Sequence, residues 1–352
     1  MVSIDGAAGE GGGQVLRSAL ALSALTGQTT DFQNIRAGRA TPGLQPQHLT
    51  AVYAAAAVCG AQTTGVELNS PALHFAPTHP ARPGDYVFDV SSITGKGSAG
   101  SVGLVMQTVL LPLAAAPGDS HLLLRGGTHV PWAPSMHYLQ SVFLPTLASM
   151  GVAADIELTQ WGFYPAGGGA VRVSVQGQSQ PRAITLTERG ALKRIWGVGV
   201  VSNLPAHIPQ RMVNRARNLL NEAGLKTDLE PLRVRGDGPG AGIFLVAEYE
   251  GARAGFTAYG KQGLPADQVA QAACDALLAH HHTGAPVDPY LADQLILPMA
   301  VAQGTSHIVT SRITNHLLTN VATVQSFLPV VARIDGALGR PGTVTLTGYT
   351  YD

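Results

Sequence analysis

Apolar positions along this chain fall into helical and strand rhythms, and the order of those rhythms recurs. Val15, Leu16, Ala19, Leu20, Leu22 and Leu25 repeat at helical spacing and predict a helix over 13–27. A polar turn at Gly27-Gln28 leads to a short strand over 32–35. The turn Arg36-Ala-Gly-Arg39-Ala-Thr-Pro42-Gly43 opens a second helix over 45–59, which Gly60 stops in the usual C-terminal position. Strands over 62–68 and 72–75 close the run. The order then repeats: strand 86–90, helix 99–115, strand 121–124, the turn Arg125-Gly-Gly-Thr128, helix 134–150 ended by Gly151, and strands 153–158 and 170–175. It returns near the end, with strand 183–187, helix 291–303, strand 306–310, helix 315–328 and strands 330–334 and 342–347.

Three such copies predict an α/β fold of three repeated βαβαββ-type units in a pseudo-threefold arrangement. No single unit can bury its own sheet face, so the three must pack together. Residues 184–283 break the order. They carry a charged helix over 209–223, the turn Asp237-Gly-Pro-Gly240, a strand over 242–248 and a helix over 267–280. They read as a small inserted α/β domain, leaving 1–183 and 284–352 as one large domain.

Composition narrows the function. Of 352 residues, 45% are hydrophobic and 12% charged, which excludes a disordered chain. Formal net charge is zero. A neutral protein cannot hold nucleic acid by bulk charge, so any such partner must be a strand end or small anion at a local basic site. The stretch between Lys96 and Asp119 is uncharged and long enough to span a membrane, but it contains Gln107, Pro112 and a Gly/Ser-rich start. It reads as a buried core helix, and no membrane partner is expected. The N-terminus lacks the basic and apolar regions of a signal peptide. Cys59 and Cys274 have no metal-ligand spacing and read as buried free thiols in a reducing, cytoplasmic setting.

Five motifs carry candidate chemistry. Asp5-Gly-Ala-Ala-Gly-Glu10-Gly-Gly-Gly13-Gln14-Val-Leu-Arg17 places glycine N–H groups ahead of a helix, where they can take an anion. Glu10 adds a metal-capable carboxylate and Arg17 a phosphate-capable guanidinium. Arg36 and Arg39 sit on a glycine turn before Gln47 and His48, a placement suited to a phosphate or nucleic-acid end. Gly162-Phe-Tyr-Pro-Ala-Gly-Gly-Gly169 is an unusual turn between strands. Tyr290-Leu-Ala-Asp293-Gln294 sets polar groups at the opening of an apolar helix. Thr314-Asn315-His316-Leu-Leu-Thr319-Asn320 puts a histidine at a helix start, where the dipole favours a neutral imidazole and an adjacent phosphate. His48 and His137 occupy the corresponding places in the other two units, and spacing does not choose among the three.

EGGGQVLRSAL, RAGRATPGLQPQHL, GFYPAGGG, YLADQLILPMA and HLLTN, in this order between Asp5 and about Pro329, resemble the RNA 3′-terminal phosphate cyclases of bacterial type. The resemblance implies an ATP-dependent enzyme working in three steps. A histidine takes AMP from ATP and releases pyrophosphate; AMP passes to an RNA 3′-phosphate; the vicinal 2′-OH then expels AMP to leave a 2′,3′-cyclic phosphate. It implies His316 as the nucleophile and Arg17, Arg39 and Gln47 as phosphate ligands. Glu10 would hold Mg2+ or Mn2+. Gln107, Tyr290, Asp293 and Gln294 would lie around the nucleotide, with Asp293 placed to orient His316, and Arg36 with Arg39 would meet the RNA end. Edge strands of the inserted domain offer a route to a homodimer. Two other classes compete: a non-catalytic RNA-binding relative, which would lack the histidine, and an enolpyruvyl transferase, which would ignore ATP.

Overall fold

A computed structural model describes residues 1–93 and 98–349. Lys96, which bounds the uncharged stretch, lies outside them. The first unit runs β1 (Val2–Asp5), α1 (Gly13–Thr26), β2 (Thr30–Gln33), α2 (Pro46–Cys59), β3 (Gln62–Thr64) and β4 (Leu73–Ala76). The second runs β5 (Asp85–Asp89), α3 (Val102–Ala115), β6 (Ser120–Gly126), then α4 (Met136–Tyr138), a π-turn (Leu139–Phe143) and α5 (Leu144–Ser149) as one continuous helix, and β7 (Ala154–Gln160) and β8 (Gly169–Val175). After β9 (Thr185–Leu186) the chain leaves for β10 (Leu192–Ser202), α6 (His207–Glu222), β11 (Thr227–Val234), β12 (Gly240–Tyr249), β13 (Arg253–Tyr259) and α7 (Ala266–Thr283). It returns with α8 (Pro289–Ala300), β14 (Thr305–Thr310), α9 (Asn315–Phe327), β15 (Val331–Gly336) and β16 (Gly342–Thr347).

The chain is a mixed α/β fold of four small sheets. Three of them share one strand order: β1-β2-β4-β3, β5-β6-β8-β7 and β9-β14-β16-β15. In each, the first two strands are parallel and the rest antiparallel. Alternating burial, as in β6 and β8, leaves each sheet one apolar face to cover. The helices cover it. α1 packs against α2, α3 and α9, and α8 against α9, joining all three sheets in one apolar core. α3 is buried along nearly its whole length, in accord with the core-helix expectation. No helix among the described residues is long and apolar enough to cross a membrane.

The fourth sheet, β11-β10-β12-β13, holds a separate apolar cluster with α6 and α7. Sequence periodicity exposes only β12 there. β10 carries Lys193-Arg194 near its start and Gly197 and Gly199 further on, which blur its alternation. β11 is an edge strand, where Pro231 is tolerated because no ladder bond is required of it. Two helix starts also differ from the periodic reading. α3 begins at Val102 because Ser101 caps it, its hydroxyl accepting from Leu104 N–H. α8 begins earlier, at Pro289, because Asp288 caps it. Both cysteines are free and buried.

Candidate active site

The glycine motif turns from β1 into α1, and its shape follows from what it must avoid. Gly9 and Gly11 have φ of +61°, where a side chain would be strained. A Cβ at Gly9 would also collide with the Thr319 hydroxyl. That hydroxyl accepts the Glu10 backbone N–H at 3.2 Å, so the HLLTN helix α9 seats the glycine turn. One residue further on, Asn320 accepts from the Ser18 hydroxyl at 2.7 Å and donates to the Asp293 carbonyl at 2.8 Å. α1, α8 and α9 are thereby locked around a common point.

His316 stands at that point, in the first turn of α9 and about half exposed. Its Nδ1 lies 2.6 Å from Gln14 Oε1 and 2.5 Å from Glu10 Oε2. Both neighbours are acceptors, so Nδ1 carries the proton and the Nε2 lone pair is left open. Hydrogen-bond direction favours Gln14, while Glu10 supplies charge. Bonding to Glu10 is the main reason the His316 pKa is raised, against an opposing effect of burial. The helix start alone suggested a neutral ring; the carboxylate outweighs it. Burial pushes the Glu10 carboxyl up, but His316 and Arg39 together bring it below the usual range. Arg39 reaches Glu10 Oε1 at 2.6 Å and the Glu10 carbonyl at 3.1 Å.

Gln14 and Glu10 are the groups that face the imidazole Nδ1, while Asp293 acts on His316 through charge and not through a hydrogen bond. Asp293 is 8% exposed and is pushed up to about 7, chiefly by burial, with His316 opposing. Arg17 lies beside it on the cleft floor. Burial lowers its guanidinium to about 10, which leaves it charged at neutral pH.

These groups line one wall of a cleft of about 1560 Å³, with Lys261, Leu264 and Ala266 on the side of the fourth sheet. The cleft also brings together Arg36, Arg39, Gln47, Gln107, Tyr290 and Gln294. Gln47 accepts the Ser101 N–H at 3.1 Å, and Gln107 donates to Gln294 at 2.6 Å. Gln294 in turn donates to the Tyr290 carbonyl at 2.6 Å, and the Tyr290 ring is 54% exposed. Arg36 spends Nη1 on its own turn, donating to the Thr41 and Gly43 carbonyls at 2.6 and 2.9 Å.

No group of three or more His, Cys, Asp or Glu able to hold a metal occurs among the described residues. Glu10 Oε2 is buried, with His316 Nδ1 as its near partner. Each carboxylate oxygen has two lone pairs, so the Glu10 carboxylate can also meet a hard divalent ion that takes its remaining ligands from phosphates and water.

The two counterpart histidines are differently employed. His48 Nδ1 accepts the Gln45 N–H at 3.1 Å, which puts any ring proton on Nε2, and burial depresses its pKa to about 3. His137 Nδ1 lies 3.0 Å from His129 Nε2 amid Trp161 and Phe244. His48 thus caps the start of α2, and His137 packs among aromatic rings. Gln14, Ser18, Thr319 and Asn320 were not singled out for a role, although all four lie inside the motifs; only contacts across more than 300 residues give them one.

A profile of the family "RNA 3′-terminal phosphate cyclase" matches residues 8–334. Curated proteins bearing that name are similar over nearly their whole length. One from Trichormus variabilis is 51% identical, covering 93% of this chain and 94% of its own. One from Methylococcus capsulatus is 49% identical over 97% and 95%, and one from Pyrobaculum neutrophilum 42% over 96% and 95%. Among solved structures, an enolpyruvyl transferase from Streptomyces tendae aligns with a TM-score of 0.28 and 13% identity, over 50% of this chain and 33% of its own; so slight a likeness carries no argument. On the extent and identity of these matches, the chain belongs to the RNA 3′-terminal phosphate cyclase family.

Proposed function

We propose that this chain converts an RNA 3′-terminal phosphate to a 2′,3′-cyclic phosphate at the expense of ATP, through a covalent His316–AMP intermediate. The observation that carries the proposal is the His316 ring: Nδ1 is pinned by Gln14 and Glu10, and Nε2 opens onto a cleft lined by Arg17 and Arg39. Among three histidines in corresponding places, His316 is the most exposed and the one whose Nδ1 faces a carboxylate.

The Nε2 lone pair attacks the α-phosphorus of ATP, an N–P bond forms, and the bond to the β-phosphate oxygen breaks as pyrophosphate leaves. The positive charge that develops on the imidazole is offset by Glu10 at Nδ1, much as a carboxylate supports the imidazolium of a Ser-His-Asp triad. Arg17 and Arg39 hold phosphate oxygens and screen their charge from the nucleophile. An oxygen of the RNA 3′-phosphate then attacks the adenylate phosphorus, and the N–P pair returns to Nε2. In the last step the vicinal 2′-OH attacks the terminal RNA phosphorus, AMP leaves, and the hydroxyl proton passes to solvent. A divalent ion held by the Glu10 carboxylate would neutralise phosphate charge. In this reading Gln47, Gln107, Tyr290, Asp293 and Gln294 surround the nucleotide, and Arg36 meets the RNA end. Residues 184–283 form an inserted domain, a division supported by the separate apolar cluster around α6 and α7.

The test is incubation with α-labelled ATP and magnesium. An acid-labile, alkali-stable AMP adduct is expected, absent in His316→Ala. An undiminished adduct in that variant would remove His316 from the mechanism.

A further inference from the structure

The glycine-rich turn between β7 and β8 has no part in the chemistry above, yet it displays an aromatic ring at the cleft rim. Tyr164 is 55% exposed, and Trp132, in the connection from β6 to α4, is 91% exposed. The two rings meet edge to face, with centroids 6.3 Å apart and planes at 80°. Trp132 also has φ of +63°, an unfavourable backbone for a bulky residue. An indole held out in water on a strained backbone contributes little to folding, so its placement calls for an occupant. Both rings line the main cleft and also a smaller adjoining hollow of about 390 Å³. Gln47 lines both spaces as well, so the platform runs continuously into the site of His316.

We propose that Trp132 and Tyr164 form a stacking platform for the unpaired bases that precede the 3′-terminal phosphate of the RNA. This deepens the cyclase reading and rests on it. Three features select a single strand as the occupant. The protein has no net charge, so the strand cannot be held by bulk electrostatics and needs a second source of affinity. Base stacking on aromatic faces supplies such affinity without regard to sequence. Arg36 and Arg39 lie in the same cleft, where they can take the terminal phosphate while the bases lie outward on the rings. Two perpendicular faces suit consecutive bases splayed from their stack, as single-strand readers use them.

The probe is a short single-stranded oligoribonucleotide with a 3′-phosphate, used with the full-length protein. Trp132→Ala and Tyr164→Ala are each expected to raise the KM for this RNA on the order of tenfold. Trp132→Phe should recover most of the loss, because a π face returns. The salt dependence of RNA binding should not change in Trp132→Ala, since no phosphate contact is lost, whereas Arg36→Ala should flatten it. RNA should quench tryptophan fluorescence in wild type and much less in Trp132→Phe. The proposal is overturned if RNA KM stays within twofold in both alanine variants, or if Trp132→Ala instead raises the ATP needed for RNA-free adenylation. Failure of the cyclase reading looks different: wild type would form no AMP adduct, while quenching by RNA would still report on the platform. Absence of that quenching overturns the platform in either case.

Discussion

Replacing Asp288 by alanine should destabilise the protein strongly, because one buried carboxylate ties three elements together. Asp288 is 0% exposed, and its carboxylate has four partners. It accepts the backbone N–H groups of Tyr290 and Leu291 at 2.9 and 3.0 Å, capping α8. It accepts the Tyr138 hydroxyl at 2.9 Å and the Gly255 N–H at 3.2 Å, so one side chain joins α8 to α4 and to β13. Losing the cap costs about 1 kcal/mol. Two buried donors, Tyr138 O–H and Gly255 N–H, are then orphaned at roughly 1–3 kcal/mol each. The sum is about 3–7 kcal/mol, with water entering the vacated space pulling it toward the lower end. The assay is urea unfolding followed by two probes, one reporting on the fourth sheet and one on the three-sheet body. Asp288→Asn, which keeps an acceptor for the cap but turns a donor toward Tyr138 or Gly255, should lose less. A loss below about 1 kcal/mol in Asp288→Ala would refute the accounting.

Gln14→Ala should leave the fold intact but slow adenylation by roughly 10- to 100-fold, because the ring loses the partner that keeps the proton on Nδ1; single-turnover labelling with ATP measures it, and an unchanged rate would discount the contact. Since Glu10 raises the His316 pKa, the acid limb of the adenylation rate should lie above the ordinary histidine value. In Glu10→Gln that limb should move to lower pH even as the maximal rate falls, and a stationary limb would contradict the assignment. Asp293, raised to about 7 from 3.8, takes up a proton on folding, so its contribution to stability is full below about pH 4 and is lost as pH rises through 7. Buried His48 and His137, with lowered pKa values, act in the opposite direction on the acid side. The clean measurement is therefore the difference in Tm between wild type and Asp293→Asn, which should shift in favour of the variant as pH rises from 4 to 8.

The repeat was legible because helix and strand periods are local properties. α1, α2 and α9 fall within a residue or two of where periodicity puts them, with Gly27 and Gly60 at φ of +69° and +60° just past the ends of the first two. Of the fourth sheet only β12 was legible. β10 owes its pairing to β11 and β12, tens of residues further along the chain, and the glycines, proline and charges of β10 and β11 mask any alternation; β13 pairs locally with β12, but its Arg-Ala-Gly start carries no strand rhythm.

The site divides along the same line. Most of the polar residues that line the cleft could be named from motifs, since each motif lies within one turn and the adjoining helix. Which histidine is the candidate nucleophile could not be read from spacing, because His48, His137 and His316 all sit at helix starts. The resemblance favoured His316; the geometry adds a reason. At a helix start, an imidazole's chemistry depends on which nitrogen carries the proton, and that is set by what lies across from it. For His48 the facing group is a backbone donor three residues away. For His316 it is a carboxylate and an amide from the far end of the chain, brought within 2.6 Å only when α1 and α9 pack. Local sequence decides where a side chain can stand, whereas its tautomer, its pKa and the opening of its Nε2 are long-range quantities that exist only once the chain has folded.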